Sequence, residues 1–268
     1  MNFTWDIIII LLIVGFLFGL LSTISGQGGG LFYVSFMTIF ILIHIKTSID
    51  TSNFIILLTS AAGFFIYLKD KRTSLKLSLI YSGFSIIGCF ISTLLVLLIQ
   101  FDNILLRFLF GTTLVIIGVF MAYKSVSIRT PESNVKNSLD IENTFLKEYK
   151  YKTNLKKALP LFLLAGFVSN LLGLGGGVIA APALNLILGF PIHYATGIST
   201  SIVFFTAIYN SLTKFIFGVI ELQLGLLMGI GSIFGGLVGA KFSKKIPTLY
   251  LQLIVAIILI LFAFAIFI

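Results

Sequence analysis

The chain has 268 residues, of which 58% are hydrophobic and 10% charged, with a mean hydropathy of +1.14. A soluble globular domain is about half apolar and about a quarter charged, so a soluble enzyme, a secreted disulfide scaffold and a disordered chain are excluded. Eighteen Lys and Arg against nine Asp and Glu give a net charge of +9, which in a polytopic membrane protein points to basic cytoplasmic loops and not to nucleic acid.

A helical membrane crossing needs about 20 apolar residues. The chain begins MNFTWDIIII, and the first apolar run spans 3–25. It carries Asp6 and lacks the basic leader of a cleaved signal peptide, so it reads as a retained segment. Further runs fall at 31–45, 53–68, 77–99 and 104–123. A polar stretch, 124–157, separates these from runs at 158–172, 178–190, 198–218, 222–240 and 247–268. The expected organisation is an N-terminal transmembrane repeat over 1–123, a cytoplasmic loop over 124–157 and a C-terminal transmembrane repeat over 158–268. The runs are apolar on all sides and do not alternate, which predicts helices and not barrel strands. The expected fold is therefore an all-α polytopic membrane protein with 8–10 transmembrane segments. The short runs 31–45 and 178–190 either span fully or are re-entrant.

Basic residues set the orientation. KDKRTSLK (69–76) holds four basic residues and one acid; 124–157 holds eight and four; KFSKK (241–245) holds three and none. Loops 69–76, 124–157 and 241–246 are therefore expected in the cytoplasm, with both termini outside. The third and eighth runs then cross in opposite directions, so the halves are inverted.

An offset of 147 superposes the halves without a gap from about Gly15 to Gly63. GLLSTISGQGGG (19–30) lands on GFVSNLLGLGGG (166–177), and Ser52 lands on Ser199. The matches are mostly small or polar, which an apolar composition does not produce by chance. Gly26, Gln27, Gly28, Gly29 and Gly30 in the first half correspond to a second break containing Gly173, Gly175, Gly176 and Gly177. Each glycine in a helix costs about 1 kcal/mol relative to Ala. A break of this kind also frees backbone N–H and C=O groups that hydrocarbon cannot satisfy, so it faces protein or a polar cavity. Free N–H groups attract anions. Gly-interrupted segments at matching places in two halves point to a transporter's binding site. Gly83, Gly88, Gly231, Gly235 and Gly239 instead read as helix-packing positions.

Thr51, Ser52 and Asn53, like Ser199, Thr200 and Ser201, follow the short runs. They fit either N-caps of the next helices or further donors to the anion. Gln27, Thr23 and Asn170 flank the breaks and offer donors as well. Asp50 reads as a cap near an interface and Lys214 as a snorkelling residue. His44 and His193 are not equivalent positions, and a proton-handling role for them is the lesser reading. Cys89 sits in an apolar stretch and reads as a packing residue. The sequence carries no metal-ligand spacing, Walker motif or nucleophile elbow, so no cofactor and no catalytic residue is expected.

At these residues the chain resembles the TauE/SafE sulfite exporter family, also called the TSUP membrane transporters. The stretch GLGGGVIAAPALNLILGFPIHYATGISTSIVFFTA looks like that family's glycine-rich signature; GQGGGLFYVSFM and DTSN form a more divergent first copy. The resemblance covers nearly the whole chain outside the central loop. It implies a multi-pass plasma-membrane transporter of sulfite or another small organosulfur or organic anion such as sulfoacetate, with the lipid bilayer around it. The energy source is then either the anion's own gradient or protons as coupling ion. Two other readings stand beside it: an anion channel using the same breaks, and a membrane scaffold or receptor acting through 124–157.

Overall fold

The computed structural model describes residues 5–99, 101–127, 151–218, 220–243 and 248–267. The first half runs α1 (Trp5–Ser25), α2 (Gly30–Ile39), α3 (Ile45–Lys69), α4 (Leu75–Leu98) and α5 (Asn103–Ser127). The second runs α6 (Tyr151–Leu172), α7 (Gly177–Pro182, extended by a π-helical turn over Ala183–Ile187), α8 (Ile192–Phe217), α9 (Leu222–Phe242) and α10 (Thr248–Phe267). Among the described residues there is no strand. Among the described residues, six helices are long and apolar enough to cross a membrane: α1, α3, α4, α5 over Asn103–Tyr123, α8 and α9. Their outward faces expose Ile13, Phe90, Ile116, Phe215 and Phe234, an apolar surface suited to lipid and not to water. The chain is an all-α polytopic membrane protein.

The 147-residue repeat extends to element boundaries. α1 and α6 end at Ser25 and Leu172; α2 and α7 begin at Gly30 and Gly177; α3 and α8 begin at Ile45 and Ile192; α4 and α9 begin at Leu75 and Leu222. Packing repeats too. α1 lies on α9, and its counterpart α6 lies on α4. Gly19 faces the Ser232 carbonyl as Gly166 faces that of Ser85, and Gly235 faces the Phe16 carbonyl as Gly88 faces that of Leu163. Every member of one contact maps onto the other by the same offset. Glycine lets these backbones approach closely, so Gly88, Gly231, Gly235 and Gly239 are packing positions as expected. Gly83 is not: a Cβ there would meet nothing within 4 Å.

α3 and α8 cross at the centre in opposite directions. Asp50 pairs with Lys214, Asn53 meets Asn210, and Gly63 faces Thr200. Since α8 is the counterpart of α3, the halves are inverted relative to each other.

The sequence reading placed the third and eighth helices too late. α3 begins at Ile45 and α8 at Ile192, so Thr51, Ser52, Asn53, Ser199, Thr200 and Ser201 lie well inside helices and cap neither. Their side chains bond to the helix's own carbonyls or to neighbouring elements, which lets the helix absorb the polar stretch. The short α2 ends at Ile39 and turns at Leu42, whose φ is +60°; its counterpart Gly189 has φ +74°. Most of the polar central stretch, 128–150, lies outside the described residues, as do the lysines at 244 and 245.

Candidate functional site

Both glycine breaks fold the same way. Gly26, Gly28 and Gly29 have φ of +71°, +88° and +78°; Gly173, Gly175 and Gly176 have +67°, +85° and +71°. That left-handed region is open to glycine and costs other residues about 1–2 kcal/mol. Gly30 and Gly177 are required for a different reason. A Cβ on Gly30 would run into the Gly173 carbonyl, and one on Gly177 into the Gly26 carbonyl. The first break reverses the chain. Phe18 of α1 stacks on Phe32 of α2 at 5.4 Å and meets Phe36 edge-on at 5.9 Å, so α2 runs back along α1.

The two breaks meet at the centre of the molecule. A Cβ on Gly28 would lie 3.2 Å from the Cα of Gly175, and the reverse distance is also 3.2 Å. Ser199 Oγ donates to the Gly26 carbonyl at 2.7 Å, and Ser52 Oγ donates to the Gly173 carbonyl at 3.0 Å. The Ser199 hydroxyl is thus spent on a break carbonyl, while the Ser52 hydroxyl is shared between the Gly173 carbonyl and Ile49 O of its own helix, at 2.8 Å. Among the described residues, no acceptor meets the N–H groups of Gly28, Gly29, Gly30 and Leu31, or of Gly175, Gly176, Gly177 and Val178. All eight residues are buried. Buried backbone donors without partners are rare and costly.

Other expected site residues point elsewhere. Thr51 Oγ1 accepts from the Glu221 N–H at 3.0 Å, tying α3 to the start of α9. Thr200 Oγ1 donates to Thr196 O within its own helix at 2.9 Å. Asn170 Nδ2 donates to Cys89 O at 2.9 Å and to Thr93 Oγ1 at 2.7 Å, so it faces α4. Thr23 donates to Gly19 O within α1. Gln27 is the flanking residue that stays open: its Nε2 lies 3.1 Å from Met121 Sδ, and its Oε1 has no partner among the described residues.

Gln27 lines a cavity of about 430 Å³ between α1, α5, α7 and the start of α8. Its walls include Ile24, Ile117, Phe120, Val178 and Pro182. The cavity lies beside the paired breaks, toward the end of α5 that leads into the central loop. The inverted repeat generates an equivalent place on the other side, and that place is filled. α10 packs against α2, and Phe32, Val34, Val255 and Leu259 join one buried cluster. A residual space of about 20 Å³ remains there, lined by Ile49, Leu171, Asp50 and Lys214. Phe32 and Val34 stand where the open side has Ile179 and Ala181, so the filled side is bulkier by sequence.

Asp50 and Lys214 correct the sequence reading. Lys214 Nζ lies 2.9 Å from Asp50 Oδ1, with both side chains largely buried. Neither caps a helix nor snorkels: the two charges are buried against each other beside Ile49, Val96, Leu106 and Leu171. At the opposite end, Arg72 was missed altogether. It is 5% exposed, donates from Nη1 to Ser243 Oγ at 2.7 Å, and sits 4.7 Å over the Tyr67 ring. Burial pushes its guanidinium below its ordinary pKa. In the sequence it reads as one more loop charge. Cys89 donates to Gly166 O at 3.2 Å inside the α4–α6 contact, a packing role. Among the described residues, no His, Cys, Asp and Glu cluster could hold a metal.

A family model described as Sulfite exporter TauE/SafE matches residues 11–266. The chain belongs to this family. Curated relatives carry compatible names. "Probable membrane transporter protein YunE" of Bacillus subtilis is 26% identical over 264 residues, covering 94% of each chain. A probable membrane transporter protein of Methanocaldococcus jannaschii is 26% identical over 266 residues, covering 93% of this chain and 91% of its own. YdhB of Bacillus subtilis, also named a probable membrane transporter protein, is 24% identical over 243 residues. No solved structure matches the chain. The protein is thus a TauE/SafE-family membrane transporter, and both glycine breaks lie within the matched region.

Proposed function

We propose that the chain is a secondary transporter of a small anion, sulfite or an organosulfur or organic anion, working by alternating access in the plasma membrane. The observation that carries this reading is the cavity of about 430 Å³ on one side of the paired breaks, set against its filled counterpart on the other. An inverted repeat whose two sides differ in this way is what a carrier caught facing one side presents. Val178, one of the residues with an unpartnered N–H, lines the cavity, and the unpartnered N–H groups of Gly28–Leu31 and Gly175–Gly177 lie in the breaks beside it, where they are the donors of this reading. Such donors replace hydration around an oxyanion without a paired positive side chain. Ser52 and Ser199 act one step back, holding the break carbonyls away from the anion.

In this reading the cavity's end faces the cytoplasm and the Asp50–Lys214 end the outside, which the basic loops support. The membrane potential contributes about 2.3 kcal/mol per charge per 100 mV and favours anion export from a cell that is negative inside. Protons are the candidate coupling ion. A channel would need a continuous path, and the Asp50–Lys214 end is closed here, which favours the carrier.

Flux into proteoliposomes of sulfite, sulfate, thiosulfate, sulfoacetate and acetate, with and without a pH gradient, tests the reading. Saturable uptake of at least one anion, lost in Gly29→Val and Gly176→Val, is expected. Absence of saturable flux for every anion, or unchanged flux in both variants, overturns it.

A further inference from the structure

Three asparagines from three helices meet between the Asp50–Lys214 pair and the second break. Asn53 of α3, Asn170 of α6 and Asn210 of α8 are each at most 1% exposed. Their hydrogen bonds fix which way each amide points. Asn53 Nδ2 donates to Ile49 O at 2.9 Å, so its Oδ1 is the end that accepts from Asn210 Nδ2, at 3.2 Å. Asn210 Nδ2 also reaches Ser169 Oγ at 3.3 Å. Asn170 Nδ2 donates to Cys89 O and to Thr93 Oγ1. The nitrogen ends are therefore used, and Asn170 Oδ1 and Asn210 Oδ1 stay buried without a partner among the described residues. The backbone adds to this. In the first break Gln27 N–H donates to Ser22 O at 3.2 Å and Gly26 N–H to Thr23 O at 3.3 Å. Among the described residues, no such bond meets the counterpart carbonyls of Ser169 and Asn170. The oxygens that need a partner here are all acceptors, and buried acceptors are costly to leave unmet.

The other half shows the same place satisfied. The offset of 147 takes Asn53, Asn170 and Asn210 to Thr200, Thr23 and Gly63. A Cβ on Gly63 would lie 2.8 Å from the Thr23 methyl carbon and 2.9 Å from that of Thr200, so the three positions adjoin. Both threonine hydroxyls donate within their own helices. The amides are an addition to one side alone. We propose that this cluster binds a monovalent metal cation through Asn170 Oδ1, Asn210 Oδ1 and the free carbonyls at the end of α6. Carbonyls at the end of a broken helix suit such an ion, and the helix C-terminus carries partial negative charge. A divalent ion takes carboxylates, and Asp50, one turn before Asn53, is paired with Lys214 at 2.9 Å. An amide does not titrate, so the site takes a metal ion and leaves any proton to other groups. Ser169 joins the cluster to the second break, since a Cβ on Gly176 would lie 3.3 Å from its Cβ. A bound cation is thus a neighbour of the unpartnered N–H groups of Gly175–Gly177. The inference stands on these side chains and does not require the transporter reading.

The test is thermal unfolding of the full chain in nanodiscs, titrated with NaCl or KCl against choline chloride at constant total salt. A rise in unfolding temperature that saturates with Na⁺ or K⁺ and is absent with choline is expected; the ion that saturates at the lower concentration is the one the site takes. Asn170→Leu and Asn210→Leu each remove one oxygen ligand. Each should raise the half-saturating concentration about tenfold or more, at least the loss that disturbing a metal site's outer partners brings. Asn170→Leu is the safer variant for folding, because Cys89 O keeps the Thr93 hydroxyl as donor. Equal responses to Na⁺, K⁺ and choline overturn the proposal and leave the cluster to buried water. So does an undiminished cation response in either variant that folds. If neither folds, the titration of the unaltered chain decides alone. Anion flux separates this inference from the transporter reading. Saturable anion flux in a chain without a cation response leaves the transporter standing and removes this site; a saturable cation response without flux of any anion does the reverse.

Discussion

Ser52 and Ser199 are counterparts 147 residues apart, and each closes the break of the other half: Ser199 bonds to Gly26 O and Ser52 to Gly173 O. The exchange ties the centre of one repeat to the centre of the other. Neither half can complete its own break, because the carbonyl freed by each left-handed glycine finds its donor across the two-fold relation. The second tie is steric, since Gly30 and Gly177 allow those same carbonyls to approach.

Replacing either serine therefore strands a buried carbonyl. Ser52→Ala and Ser199→Ala should each lower stability by about 1–3 kcal/mol, read as a fall in thermal unfolding temperature in detergent. Because each serine serves a separate carbonyl, the double variant should lose close to the sum. A double variant no worse than either single one would show that the two bonds form a single unit.

The glycines of a break should separate by cause. Gly30→Ala and Gly177→Ala place a methyl on a facing carbonyl, so the breaks cannot seat and both folding yield and anion binding should fall. Gly28→Ala has a left-handed φ of +88° as well as a close neighbour in Gly175. It should be tolerated less well than Gly83→Ala, where a Cβ meets nothing and helix propensity gains about 1 kcal/mol. Expression and thermal unfolding of the four variants check the order.

The breaks were legible in sequence because glycine and serine matched at one offset in a chain where chance matches are Leu or Ile. The helix starts were not. Ser48, Thr51, Ser52 and Asn53 look like a polar connection, yet each is at most 1% exposed inside α3, and buried polar side chains that bond within or between helices leave no mark on hydropathy. Asp50 and Lys214 were missed for a different reason. Their counterparts are Gly197 and Tyr67, so the repeat carries no echo of the pair. The cavity was illegible because it is a difference between two related sides, while the repeat reports only what they share.

Leu42 and Gly189 offer a test of backbone strain alone. Both turn the chain out of the short helix with positive φ, at +60° and +74°. Leu42 is 82% exposed, and a Cβ on Gly189 would meet nothing within 4 Å. Gly189→Leu should therefore cost about 1–2 kcal/mol with no clash involved. Leu42→Gly relieves the same strain against a backbone-entropy loss of about 0.5–1 kcal/mol, so it should be stabilising by up to about 1.5 kcal/mol. Unfolding temperatures that move in opposite directions are the expected result.

The Asp50–Lys214 pair makes the last prediction, because it stands where the filled side meets its exterior. Removing one partner leaves a buried charge uncompensated, which costs about 3–5 kcal/mol; Asp50→Asn and Lys214→Met should each show it as a loss of folded protein. Asp50→Asn with Lys214→Gln removes both charges and should recover most of that stability. If the pair also latches this end shut, the recovered double variant should expose residues behind it. A cysteine at position 171, in a Cys89→Ala background, reports this by maleimide labelling from the outside. Faster labelling in the neutral double variant than in the parent is expected. Equal labelling would reduce the pair to a structural role and place the latch in the apolar contact between α2 and α10.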